Sequence, residues 1–173
     1  MVDPNYIKNL EQLVFKAFDG LDYPGDNHIV QAKPYFDKER EAISALLRSK
    51  KWTEVNFKTL KLNYLGDISS ILLFLTPSAF VYYYPSFLLI SLREFELSDV
   101  TAFSSVNFFC KSQQENGNSD SFKFERVSLF SETQLKVIKL VFEYLDREYG
   151  NSFDREFAEA VVRINTMFSH TNN

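Results

Sequence analysis

Residues 68–92 read ISSILLFLTPSAFVYYYPSFLLISL, without one charged side chain. A run of that length reaches across a bilayer core of about 30 Å, so its reading decides between a membrane span and a buried core. The interior of the run argues for a core. Ser69, Ser70, Thr76, Pro77, Ser78, the Tyr82-Tyr83-Tyr84 triple, Pro85 and Ser86 put helix breaks and hydroxyls where the hydrocarbon centre would fall. A helix apolar on every side is also what the centre of a soluble bundle requires. The stretch therefore predicts a buried helical hairpin. Its first arm covers residues 68–75; Thr76 then caps a second arm with Pro77 at the first helical position, where no N–H is needed. That arm runs to about Phe95, and Pro85, which removes a backbone hydrogen bond, predicts a kink or break near Tyr82.

Working outward, residues 5–18 repeat Ile7, Leu10, Leu13, Val14, Ala17 and Phe18 at three- and four-residue steps, one face of a helix that Asp19-Gly20 ends. Turn formers from Asp22 to Pro34 mark a loop. Asp37 caps a second helix to about Arg48, with Ala42, Ile43, Leu46 and Leu47 as its apolar stripe. Residues 53–65 suggest a short helix with an irregular end, closed by Gly66-Asp67. Beyond the central run, Ser98 is the expected cap of a helix ending near Cys110. Residues 111–121 are uniformly polar and small, and predict a mobile solvated loop. Residues 122–127 fit a strand or a short helical turn, but a lone strand would have no partner. Ser131 and Gln134 form a capping box for a helix that continues through Leu135, Ile138, Val141, Phe142, Leu145 and Tyr149 to Gly150. A last helix lines up Phe153, Phe157, Ala160, Val161, Ile164 and Phe168 before His170. The fold class is all-α: a single-domain multi-helix bundle over residues 1–173.

Composition agrees with that architecture. The 173 residues are 45% hydrophobic and 24% charged, enough apolar material to offset ordering entropy. Eighteen Phe and nine Tyr promise a bulky core. Five Gly and five Pro are too few for a turn-rich sandwich. The net charge of −4 and pI of about 5.3 disfavour nucleic acid and anionic lipid as partners. A single cysteine, Cys110, cannot close an internal disulfide, and the N-terminus lacks the basic start and apolar run of a secretory leader. A cytoplasmic location is the expectation.

The segment from Leu75 to Leu88, with Thr76, Pro77, Ala79-Phe80, Tyr82-Tyr83, Pro85 and Phe87-Leu88, resembles the hallmark of an uncharacterised family of small bacterial proteins. The resemblance takes in Ala17-Phe18, Pro24, Lys51-Trp52, Phe124, Arg126, Leu129 and Gln134, and spans roughly residues 7 to 149. Residues 111–121 and the chain from Asn151 onward depart from it. The resemblance implies a soluble bacterial protein of no assigned activity and carries over no catalytic residue.

The chemistry-bearing residues are sparse. His28 and His170 have no paired metal-ligand spacing, Cys110 has no base beside it, and no Gly-rich phosphate loop occurs, so no metal or cofactor is expected. Carboxylates gather as Glu94, Glu96 and Asp99, and as Asp154, Glu156 and Glu159 near the start of the last helix, where dipole compensation accounts for them. Lys50, Lys51 and Trp52, followed by Lys58 and Lys61, form the basic and aromatic concentration, read as a core anchor with solvated lysines. Tyr82, Tyr83 and Tyr84 point about 100° apart on a helix, so at least one is expected at a boundary or surface. These features favour a non-enzymatic, intracellular protein-binding protein. Its most specific form is an immunity-type inhibitor that occludes a basic toxin with an acidic surface formed by the six carboxylates and the tyrosines. The competing expectation is a ligand-binding domain or enzyme with a pocket among the aromatic helices and Glu94, Glu96 or Asp99 inside it. A homodimer through the last helix is a third.

Overall fold

A computed structural model describes residues 4–33, 35, 37–111, 118–150 and 156–170. Its helices succeed one another as α1 (Pro4–Ala17), α2 (Lys38–Leu47), α3 (Phe57–Asn63), α4 (Ile71–Phe74), α5 (Pro77–Arg93), α6 (Phe95–Asn107), α7 (Asn118–Val127), α8 (Glu132–Tyr149) and α9 (Glu156–His170). Short 3-10 turns at Asp26–His28, Trp52–Glu54 and Ile68–Ser70 join them. No helix among the described residues is long and apolar enough to cross a membrane.

Local side chain to backbone bonds set the helix starts. Asp37 accepts from the Glu39 and Arg40 N–H groups, Thr76 from Ala79, and Ser131 and Gln134 exchange bonds as a capping box. α5 is the axis of the bundle. It packs against α1, α6, α7, α8 and the Trp52–Glu54 turn, so most of its circumference is buried. That burial explains its composition, and it corrects the expected break near Tyr82: α5 continues as one helix through Pro85. An interior proline costs about 3 kcal/mol. Each buried large apolar side chain contributes about 1.5–3 kcal/mol, and α5 buries Phe80, Phe87, Leu88, Leu89, Ile90 and Leu92 as well as its tyrosines.

Around this axis the rings of Phe18, Phe80, Tyr84, Phe108, Phe109, Phe130 and Phe142 meet at centroid distances of 4.6–6.1 Å. The joint before α5 is clamped from two sides. An isolated antiparallel bridge joins Val30 to Leu75, with Gln31 N–H donating to Phe74 O and Thr76 N–H to Ile29 O. From the other side, the wholly buried Arg126 donates through Nη2 to Leu75 O (2.8 Å) and lies 3.5 Å above the Phe122 ring. Burial pushes its guanidinium down to about 10, and among the described residues nothing reaches its Nε.

Three further differences from the sequence expectations have local causes. The first arm of the hairpin is a 3-10 turn followed by one α-helical turn, because residues 68–75 bury only part of their surface and Leu73 faces solvent. Ser98 interrupts α6 with non-helical backbone (φ −135°, ψ 24°) instead of capping it, and its hydroxyl donates to Glu94 O. The expected loop at 111–121 ends early: Asn118 already opens α7, which also settles residues 122–127 as helix. Residues 112–117 and Phe153 lie outside the described residues.

Candidate functional site

Where α1 ends, Gly20 adopts a left-handed backbone (φ 72°) and turns the chain back along the helix. The returning strand of loop, the turn after α2 and the side of α5 enclose an open groove of about 1030 Å³. Gln12, Phe15, Lys16 and Asp19 line it from α1, Leu21 and Tyr23 from the loop, Ser49 to Thr53 from the turn, and Tyr82 from α5.

The turn is held from beneath and from the side. Beneath it, Tyr83 donates its hydroxyl to Leu47 O (2.7 Å) and lies 3.1 Å from Lys50 O, while Ser86 donates to Trp52 O (2.7 Å). At the side, Asp26 accepts from Tyr23 Oη and from both the N–H (2.9 Å) and the Oγ of Ser49. Ser49 has a left-handed backbone (φ 56°), a conformation that costs a non-glycine residue about 1–3 kcal/mol and persists where the surroundings impose it. Asp26 and Tyr23 supply that imposition. The Tyr23 hydrogen bond holds the Asp26 carboxyl below its ordinary value, and burial, then the Asp26 bond, raises the Tyr23 phenol.

The groove combines aromatic walls with positive charge. Trp52 is 6% exposed and stacks on Phe15 (5.4 Å, 30°), itself 38% exposed, while Tyr23 meets Tyr82 edge to face at 5.5 Å. Among the charged residues lining it, Lys16, Lys50 and Lys51 outnumber Asp19, while at its border Asp26 stands against Ser49 and Glu54 accepts from Lys51 N–H (2.7 Å). Burial raises the Tyr82 phenol, so at neutral pH it is a neutral wall of the groove rather than a base. The arrangement suits binding: flat apolar faces to stack on, and ammonium groups to meet an anion.

The residues singled out from sequence are placed differently. Tyr83 and Tyr84 are fully buried and Tyr82 is 5% exposed, so the triple offers no open ring; α5 is surrounded on all the sides they point to. Tyr84 spends its hydroxyl on Ser105 O, and only Tyr82 contributes to the groove. Glu94 and Glu96 line a separate hollow of about 320 Å³ with Arg93, Phe95 and Tyr149. Glu159 accepts from Lys111 N–H (2.8 Å). Glu156 accepts the Cys110 thiol on its backbone carbonyl, and its Oε2 is buried with no partner among the described residues. Asp154 and the side chain of Asp99 lie outside the described residues. The structure thus joins Glu156 and Glu159 to the end of α6 and does not bring them to the tyrosines. At that same end Lys123 and Arg163 both donate to Cys110 O, compensating the helix C-terminus. The Cys110 thiol is pushed up to about 12 by burial. Among the described residues, no three His, Cys, Asp or Glu side chains gather as a metal site.

Lys50, Lys51 and Trp52 were visible in the sequence as the basic and aromatic concentration. Their groove partners Phe15, Lys16 and Tyr23 were not, because nothing in the spacing links residues 12–23 to residues 49–53.

Fold and groove together define an all-helical domain with a basic, aromatic-walled groove beside its central helix. Residues 8–162 match the family of unknown function DUF6714, and the chain belongs to that family. The match continues past the resemblance noted in the sequence, into α9. No curated protein and no solved structure matches the chain.

Proposed function

We propose that this protein is a binding module whose groove holds a small ligand with an anionic group on a planar aromatic body. The observation that carries this reading is the pairing of the Trp52–Phe15 stack with Lys16, Lys50 and Lys51 in an otherwise acidic chain. A stacked ring contributes about 0.5–1.5 kcal/mol beyond its buried area. An exposed ion pair adds about 0.2–1 kcal/mol. The stacking face holds charged and uncharged rings alike, so discrimination against an uncharged analogue comes from the three lysines, about threefold to a hundredfold at 1.4 kcal/mol per factor of ten.

Trp52 is the only tryptophan in the chain, which makes its emission a reporter of this groove. The test is energy transfer from Trp52 to anilinonaphthalene sulfonate, compared with its uncharged parent phenylnaphthylamine. The expected result is saturable transfer to the sulfonate, at least about threefold weaker binding of the neutral compound, and loss of that preference in Lys16→Ala/Lys50→Ala/Lys51→Ala. Equal binding of the two compounds overturns the reading. The competing proposal, an immunity-type inhibitor acting through an acidic surface, predicts instead that a basic protein is captured from the native cytoplasm and lost on reversing Glu94 and Glu96.

A further inference from the structure

A separate hollow of about 300 Å³ opens between α2 and residues 26–33, lined mainly by charged and polar side chains. Its two walls are tied together by Arg40, whose side chain is 13% exposed. The guanidinium donates to Asp37 at the start of its own helix and, through Nη1, to Gln31 O of the facing segment (2.8 Å), and it lies 5.0 Å above the Phe74 ring. The Val30–Leu75 bridge pins that segment to the joint before α5. The hollow is therefore formed without a ligand, and its volume matches the lower end of small-molecule sites.

Ser44 marks it as a binding site. Among the described residues the buried serines are Ser44, Ser86, Ser91, Ser98 and Ser105. The last four donate their hydroxyls to backbone carbonyls. Ser44, 9% exposed and lining the hollow, makes no side-chain hydrogen bond among the described residues, although a buried hydroxyl left unpaired is costly. Glu41 and Arg48 line the hollow on either side of it, and neither side chain forms a hydrogen bond or ion pair among the described residues. Arg48 lies in the field of Asp26, whose oxygens are spent on Tyr23 and Ser49. Lys33, Arg40 and Arg48 face Asp26, Asp37 and Glu41 across the hollow, so its lining is balanced in charge. A simple anion there would meet Glu41, and a simple cation would meet Lys33 and Arg48; a ligand carrying both signs satisfies both. We propose that this hollow binds a small zwitterion of the amino-acid class, its carboxylate held by the Ser44 hydroxyl and the Arg48 guanidinium and its ammonium by the Glu41 carboxylate.

Amide-correlation NMR on the labelled full chain tests this, with glycine, L-alanine and L-glutamine as probes and acetate and methylammonium as their single-charge halves. At least one amino acid is expected to shift the signals of residues 26–33 and 38–48 saturably, with acetate and methylammonium at least about tenfold weaker, because each lacks one charge-assisted hydrogen bond. Ser44→Ala should weaken the amino acid at least about tenfold. It removes a hydroxyl that no group of the protein uses and puts a better helix former in α2, so its thermal midpoint should not fall. Glu41→Gln should abolish the preference for the amino acid over acetate. Lys16→Ala/Lys50→Ala/Lys51→Ala, which strips the groove, should bind as the parent does. No saturable shift with any of the three amino acids overturns the proposal. So does acetate binding as tightly as the amino acid in the parent, which would make this an anion site, or unchanged affinity in Ser44→Ala. Loss of binding in the triple lysine variant would place the amino acid in the groove and overturn it equally.

Discussion

Phe130 is the residue on which the aromatic core turns, and truncating it to alanine tests the packing most sharply. It sits in the turn after α7, 5% exposed. Its ring meets Phe18 of α1 (6.1 Å), Phe80 and Tyr84 of α5 (5.9 and 5.1 Å) and Phe109 after α6 (6.1 Å). Those four partners come from three different parts of the chain and are themselves buried, so they cannot collapse into the vacated space without giving up contacts with one another. Core Phe→Ala changes cost about 3–5 kcal/mol, the higher values where a cavity persists. The expected loss here is about 4 kcal/mol. With a urea slope of about 2 kcal/mol per molar, that moves the unfolding midpoint down by about 2 M. The thermal midpoint should fall by about 8–16 °C for a chain of this size. Equilibrium urea denaturation followed by far-UV circular dichroism gives both midpoint and slope. Phe124→Ala, at an exposed position of the preceding helix, is the control and should change stability by less than about 0.5 kcal/mol. A Phe130→Ala loss below about 1.5 kcal/mol at unchanged slope would refute the ring cluster as the centre of the core.

Three further outcomes follow from individual contacts. A β-carbon on Gly66 would stand 2.5 Å from Cζ and Oη of Tyr64, whose hydroxyl donates to Glu39; Gly66→Ala should therefore displace that ring and cost about 1–3 kcal/mol in urea unfolding. Asp26 has a lowered carboxyl value, so its clamp on Ser49 and Tyr23 is complete above the ordinary carboxylate value of 3.8 and is lost as pH falls through the lower folded value. Trp52 emission should show that acid step and lose it in Asp26→Asn; an identical acid profile in the two proteins would remove Asp26 as the clamp. Cys110 is buried with its thiol raised to about 12, so it should stay silent to an aromatic disulfide reagent in the native protein and react fully in denaturant.

How much of this was legible in the sequence depended on the range of the interaction. Asp37, Thr76-Pro77, Ser131 and Gln134 announce helix starts because cap and partner lie within three residues. The continuity of α5 through Pro85 was not legible, since it depends on what surrounds the helix rather than on the helix itself. The same holds for the burial of Tyr82, Tyr83 and Tyr84. Turning 100° per residue exposes one of three rings only if one side of the helix is open, and from Tyr82 to Leu92 every residue of α5 is buried. Residues 118–121 read as loop because polar, small residues look alike in a loop and in a first helical turn. The groove was half legible. Lys50-Lys51-Trp52 stood out, but the turn that presents them is fixed by Tyr83, Ser86, Asp26 and Tyr23, contacts across 23 to 36 residues that no local pattern records.

The proposed working surface is the groove, and Trp52 at its centre reports on it directly. The side-chain N–H of Trp52 gives the only indole resonance in an amide-correlation NMR spectrum of this chain. Titrating anilinonaphthalene sulfonate into labelled protein should move that resonance together with the backbone signals of Phe15, Lys16, Tyr23 and residues 49–53, and leave those of α9 in place. A shift confined to residues outside the groove, with the indole unmoved, would contradict it.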